Sequence, residues 1–109
     1  MSDAGFEGSE QDLEQITTLF RLLSDKTRLM IVVLLASGEQ NVSALCAELK
    51  LPQPTVSHHL SLLRMNNIVG SRRQGREIFY GVHGHVTRGD NAIQIALENY
   101  SVQIAPRNS

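Results

Sequence analysis

The chain has 109 residues, 19% of them charged, with a formal net charge of −1. A length of this order sets the expectation of one domain, modestly stable alone and helped by association with a second copy. A single cysteine excludes an internal disulfide, MSDAGFEGSEQD has no apolar run for export, and no stretch nears the roughly 18 apolar residues of a membrane span, so the expectation is a cytoplasmic chain without a membrane partner. The small net charge speaks against a general nucleic-acid coat, but it averages over a gradient. Residues 1–20 carry Asp3, Glu7, Glu10, Asp12 and Glu14 with no Lys or Arg, whereas residues 50–80 carry Lys50, Arg64, Arg72, Arg73 and Arg76 against Glu77 alone. That asymmetry points to an anionic partner for the second region.

Residues 1–9, rich in Gly, Ser and acidic side chains, read as a disordered lead, and 105–109 as a disordered tail around a single domain over 10–104. From Asp12, Leu13, Ile16, Leu19, Phe20 and Leu23 recur at helical spacing. Ser24 and Asp25 are capping residues that restart a helix, and RLMIVVLLA is apolar almost all round, which predicts burial on most sides. Ser37-Gly38 ends it. A short helix follows from Ser43 to about Leu49, and Lys50-Leu51-Pro52 breaks it. Gln53 is the expected cap of the next helix, with Pro54 in its first turn, where a missing N–H costs little. Two short helices separated by three or four residues have the spacing of a helix-turn-helix.

IVGSRR and EIFYGV are β-prone runs joined by Gln74-Gly75-Arg76, which reads as a hairpin. A last helix is expected from about Arg88 to Ile104, with Ile93, Ala96, Leu97, Tyr100 and Ile104 at helical spacing. The fold class is therefore mainly α with a β-hairpin wing, in the order α-α-α-α-β-β-α.

Chemistry concentrates on residues 53–66. At about 100° per residue, Val56, Leu60 and Leu63 form the buried stripe. The opposite side shows Pro54, His58, Ser61, Leu62 and Met65, with Gln53, Thr55 and Ser57 at its edges. That face is small, uncharged and rich in hydrogen-bonding groups, where a solvated face would carry more Glu and Lys. Reading base edges in a major groove needs such a surface, with apolar atoms for a thymine methyl. His58 lies on this face and is expected to contact DNA; His59 lies nearer the core edge and is expected to bond to backbone or a neighbouring helix. Arg72, Arg73 and Arg76 cluster near the hairpin tip, suited to gripping phosphates or entering a minor groove.

Residues 22–83 closely resemble the ArsR/SmtB family of small bacterial winged-helix repressors. The carrying segments are LLSDKTRLMIVVLL, VSALCAELKLPQPTVSHHLSLLRMNNIV and GSRRQGREIFYGV, with Ser57-His58-His59-Leu60 as the most specific element. The resemblance implies a homodimer joined by the first and last helices, bound to an imperfect palindrome in double-stranded promoter DNA and released by a small inducer. It puts Gln53, Thr55, Ser57 and His58 at the major groove and Arg72, Arg73 and Arg76 on the wing; Ser61 and Leu62 join the reading face from helical geometry. The dimer interface expected from the two terminal helices uses Leu13, Ile16 and Phe20 with Ile93, Leu97, Tyr100 and Ile104. Independently, a small domain whose last helix stays apolar to the end of the chain has a face that an isologous two-fold would bury.

One departure from the family concerns the turn before the reading helix, commonly Gly and here Lys50. A left-handed backbone there would cost Lys up to about 1 kcal/mol relative to Gly, and a phosphate contact by Lys50 would account for its presence. The metal-sensing motifs are incomplete. Asn41-Val42-Ser43 stands where soft-metal sensors hold Cys-x-Cys, and His83-Gly84-His85 lacks its second half, which would fall on Ala96 and Asn99 with Glu98 one residue out of register. Zinc needs three or four ligands, so His83 and His85 remain weak candidates, and neither a metal nor another cofactor is expected. Cys46 reads as a packed small side chain. The expected function is a sequence-specific DNA-binding repressor; the alternative is a winged-helix module for protein contacts. No nucleophile–base–orienter set or phosphate loop supports an enzyme.

Overall fold

Ser9 opens the first element. Its hydroxyl accepts the Asp12 N–H at 3.1 Å while the Asp12 carboxylate accepts the Ser9 N–H at 2.8 Å, a reciprocal capping box. Helix α1 therefore starts at Glu10, ahead of the first apolar repeat, and runs to Leu23. The structure, a computed structural model, describes residues 6–107. Of the lead expected over 1–9, residues 1–5 lie outside that range, while Phe6 stacks on Tyr100 with ring centroids 5.1 Å apart. Of the expected tail, 108–109 lie outside it.

Asp25 caps α2 (Lys26–Ala36) by accepting the Arg28 N–H at 3.0 Å. Burial on most sides is not what α2 shows: Ile31, Val32 and Leu35 are buried, but Met30 is 41% and Val33 40% exposed. The remaining elements pack against one side of this apolar helix and leave the other uncovered. Asn41 ends a two-residue strand, β1 (Gln40–Asn41), and accepts the Ala44 N–H at 2.8 Å to cap α3 (Val42–Leu49). Lys50 then adopts a left-handed backbone (φ 57°, ψ 45°) that turns the chain into α4 (Gln53–Met65). The cap of α4 is Pro52, not Gln53, and no side chain bonds to its first turn; Gln53 is already helical, and its amide nitrogen donates to Ser57 Oγ at 2.9 Å.

Strands β2 (Val69–Gln74) and β3 (Glu77–Val82) pair antiparallel from Val69–Val82 to Gln74–Glu77, closed by Gly75-Arg76. Gly75 has φ +64°, the positive φ that a two-residue hairpin demands. β1 pairs with the other side of β3, so the wing is a three-stranded sheet in the order β1-β3-β2. The stripe expected on α4 is the core contact: Val56, Leu60 and Leu63 are fully buried, against Leu45 of α3, Ile31 and Leu35 of α2 and Val69 of the wing.

The last element departs from expectation. Instead of a helix over 88–104, the chain forms β4 (Val86–Gly89), β5 (Ala92–Ala96) and β6 (Ser101–Ile104), an antiparallel sheet in chain order. Ile93 and Ile95 alternate with Gln94 and point inward, a period of two that the helical count passed over. Asn91 at φ 58° and the Glu98-Asn99 loop supply the reversals. This corrects the expected dimerisation helix. Ile93 is buried within the chain's own core, Leu97 and Tyr100 are half-buried, and Ile104 is 44% exposed. The sheet is tied to the start of α1, where Asn99 donates to the Asp12 carboxylate at 2.9 Å and Gln15 and Glu98 exchange two hydrogen bonds.

Candidate nucleic-acid interface

The outer face of α4 is built by the burial of its other side. With Val56, Leu60 and Leu63 locked inward, Gln53, Pro54, His58 and Ser61 are exposed, and Thr55 and Ser57 sit half-exposed at the rim. Ser57 Oγ accepts from Gln53 and keeps its own proton free to donate outward. Leu62, expected on this face, is instead half-buried against the core. Met65 is 76% exposed at the helix end. No acidic side chain interrupts the face between Gln53 and Met65.

The two histidines separate as their 100° spacing predicts. His58 is exposed. His59 is half-buried, and its Nδ1 lies 3.3 Å from Arg28 Nη1. Arginine only donates, so Nδ1 is the acceptor and the ring proton sits on Nε2. Arg28 also donates through Nε to the Leu22 carbonyl at 2.7 Å, which pins the end of α1, the start of α2 and the reading helix to one guanidinium. The Arg28 N–H, first, then the Arg28 guanidinium and the Thr27 N–H hold the Asp25 carboxyl below its ordinary value, against an opposing desolvation.

On the wing, strand register sorts the arginines. Arg72 lies opposite Phe79 and Arg73 opposite Ile78, so the two point to opposite faces of the hairpin, with Arg76 in the turn. Arg72 is not free. Its Nε and Nη2 each lie 2.8 Å from Glu39 Oε1, its Nη1 donates to Gln74 at 2.7 Å, and its guanidinium lies 5.1 Å from the Phe79 ring centre. Arg73 and Arg76 are exposed and form no ion pair among the described residues. Glu39 and Arg28 carried no signal in the sequence: each acts on a residue 33 and 31 positions away, through contacts that only the assembled fold creates. His83 and His85 stack with ring centres 5.7 Å apart, and among the described residues no group of three or more His, Cys, Asp or Glu side chains could hold a metal ion. Among the same residues no helix is long and apolar enough to cross a membrane.

A helix-turn-helix whose second helix carries no acidic side chain, flanked by a basic β-hairpin, defines a winged-helix DNA-binding protein. The family described as bacterial regulatory protein, arsR family, matches residues 25–71. An HTH-type transcriptional regulator of Methanocaldococcus jannaschii is 46% identical over 68 residues, which cover 62% of this chain and 76% of that one. Among solved structures, the transcriptional repressor BigR of Xylella fastidiosa superposes with a TM-score of 0.64 at 36% identity, covering 69% of this chain and 74% of that one. A homodimeric winged helix-turn-helix DNA-binding domain of Mycobacterium bovis gives 0.63 at 30%, covering 72% and 75%. The chain belongs to the arsR family, and it is a DNA-binding transcriptional repressor of that family.

Proposed function

We propose that the chain acts in the cytoplasm as a homodimer on a palindromic operator, reading base edges with Gln53, Thr55, Ser57, His58 and Ser61. Lys50, Arg73 and Arg76 hold phosphates beside the reading helix, with Arg72 as a further wing contact once it leaves Glu39. The observation that carries this reading is the exposed, acid-free face of α4 set beside Arg73 and Arg76, two exposed wing arginines that form no ion pair among the described residues. A two-fold dimer places two such helices about one DNA turn apart, in keeping with the homodimeric Mycobacterium bovis neighbour. A small inducer releases the dimer from DNA. The reading gives the chain a binding role and no catalytic one.

Fluorescence anisotropy tests it, with the duplex upstream of the protein's own gene against a shuffled duplex at several salt concentrations. Saturable binding at two chains per site, tighter on the native duplex and falling steeply with salt, is the expected result. Arg73→Glu with Arg76→Glu should abolish it. Absence of binding to either duplex at low salt would overturn the DNA reading and favour a protein-contact module.

A further inference from the structure

The second sheet ends in an edge, β6, with which no further strand among the described residues pairs on its outer side. Leu97 N–H donates to Tyr100 O at 2.7 Å, which makes Leu97–Tyr100 a bonded pair closing the Glu98-Asn99 loop. Bonded and non-bonded pairs alternate along an antiparallel ladder. In the register Ile95–Val102, Gln94–Gln103, Ile93–Ile104, the pairs at Val102 and Ile104 are bonded and the pair at Gln103 is not. The N–H and C=O of Gln103, like those of Ser101, therefore point away from β5 into the open edge.

Soluble proteins ordinarily defend such an edge with Lys, Pro or a bulge. Here Ser101-Val102-Gln103-Ile104-Ala105 contains no charge, and Pro106 comes only after it. The opposite edge, β4, is different: Arg88 lies within it, donating to Ser37 Oγ at 2.8 Å. Beside the open edge is uncovered apolar surface. Ile104 and Val33 are 44% and 40% exposed, and with Ala92 and Ile93 they form the apolar side of a hollow of about 230 Å³ whose other side is Ser37, Arg88 and Asn91.

We infer that the β6 edge is the surface through which two copies of this chain join, antiparallel, into one six-stranded sheet. The inference rests on the homodimer of the proposed function and assigns its interface. The occupant is a second copy because the edge is self-complementary. With Gln103 opposite Gln103 on the two-fold, each donates its N–H to the other's C=O. Val102 of one copy falls opposite Ile104 of the other, on the same face, and covers the exposed isoleucine. No charge meets its own image in this register. The outward face of the sheet, Thr87, Ala92, Gln94, Ala96, Ser101 and Gln103, is likewise uncharged. Among the described residues no helix follows the wing, so the pairing of first and last helices is not open to this chain.

Sedimentation equilibrium of the full chain and of Gln103→Pro is the first arm. Proline removes both symmetric hydrogen bonds and leaves the β5–β6 ladder whole, so dimer dissociation should rise about tenfold or more, with the circular dichroism of the folded chain retained. Gln103→Cys in a Cys46→Ser background is the second arm and tolerates a folding defect in the first. Facing strands bring these Cα atoms to about 5.5 Å, within disulfide reach, so mild oxidation should cross-link most of the dimer, whereas Gln94→Cys on the central strand should not cross-link. A dimeric wild type in which Gln103→Cys fails to cross-link, or which Gln103→Pro leaves equally tight, overturns the edge assignment and leaves the homodimer standing. A wild type monomeric at micromolar concentration overturns both.

Discussion

Replacing Lys50 by glycine should make the protein more stable and a weaker DNA binder. Lys50 sits at φ 57°, ψ 45°, where an L side chain crowds the following carbonyl at a cost of about 1–2 kcal/mol. Glycine removes that crowding but loses about 0.5–1 kcal/mol through its larger unfolded-state freedom. The turn itself persists, because the N–H groups of residues 50 and 51 both bond to the Cys46 carbonyl and involve no side chain. The balance is a gain of about 0.5–1 kcal/mol, or a rise of about 3–6 °C in Tm for a domain of this size. Thermal melts and urea titrations followed by circular dichroism measure it, and the urea slope should not change, since the surface exposed on unfolding is the same. On DNA, the lost phosphate contact should weaken operator and shuffled duplex alike and lower the salt slope by about one. Lys50→Gln separates the two effects: it keeps the strained backbone, so Tm stays near wild type, while the salt slope still falls. A glycine variant with unchanged or lower Tm would refute the strain reasoning. Unchanged salt slopes in both variants would remove Lys50 from the interface.

Glu39→Gln should release Arg72 from its ion pair, tightening binding to both duplexes at low salt and steepening the salt slope by about one; Arg72→Ala should not produce that change, and anisotropy distinguishes them. Arg28→Ala leaves the Leu22 carbonyl and His59 Nδ1 without their donor, so unfolding free energy should fall by about 1–3 kcal/mol in urea. Asp12 is held below its ordinary value of 3.8, first by the Asn99 amide and then by the Ser9 N–H, so it stabilises the fold above that value and the contribution disappears as pH falls through the lower folded-state pKa. Asn99→Ala should bring the Asp12 titration, followed by carboxyl NMR, back toward 3.8 and flatten the stability profile below about pH 4.

What the sequence made legible and what it hid differ in how many partners each feature needs. The reading helix required only its own period: Val56, Leu60 and Leu63 every three or four residues fix the buried side, and the outer face follows. The wing needed one pairing, and Gly75 announced it. Glu39 on Arg72 and Arg28 on His59 depend on segments brought together across the fold, with no local pattern to mark them. The last segment failed for another reason, since residues 93–104 satisfy two periods at once. Ile93, Ala96, Leu97, Tyr100 and Ile104 make a helical stripe; Ile93 with Ile95, and Val102 with Ile104, make a strand alternation over the same residues. The β-branched content, Thr87, Ile93, Ile95, Val102 and Ile104, and the turn formers Gly89-Asp90-Asn91 and Asn99 favoured strands locally. The helical stripe runs over the same residues and masks them when the period alone is read. The same substitution bears on assembly, because a terminal helix presents a side-chain face to a second copy, whereas a terminal strand presents backbone. An interface made of backbone needs only an uncharged edge, and Ser101–Ile104 supplies one.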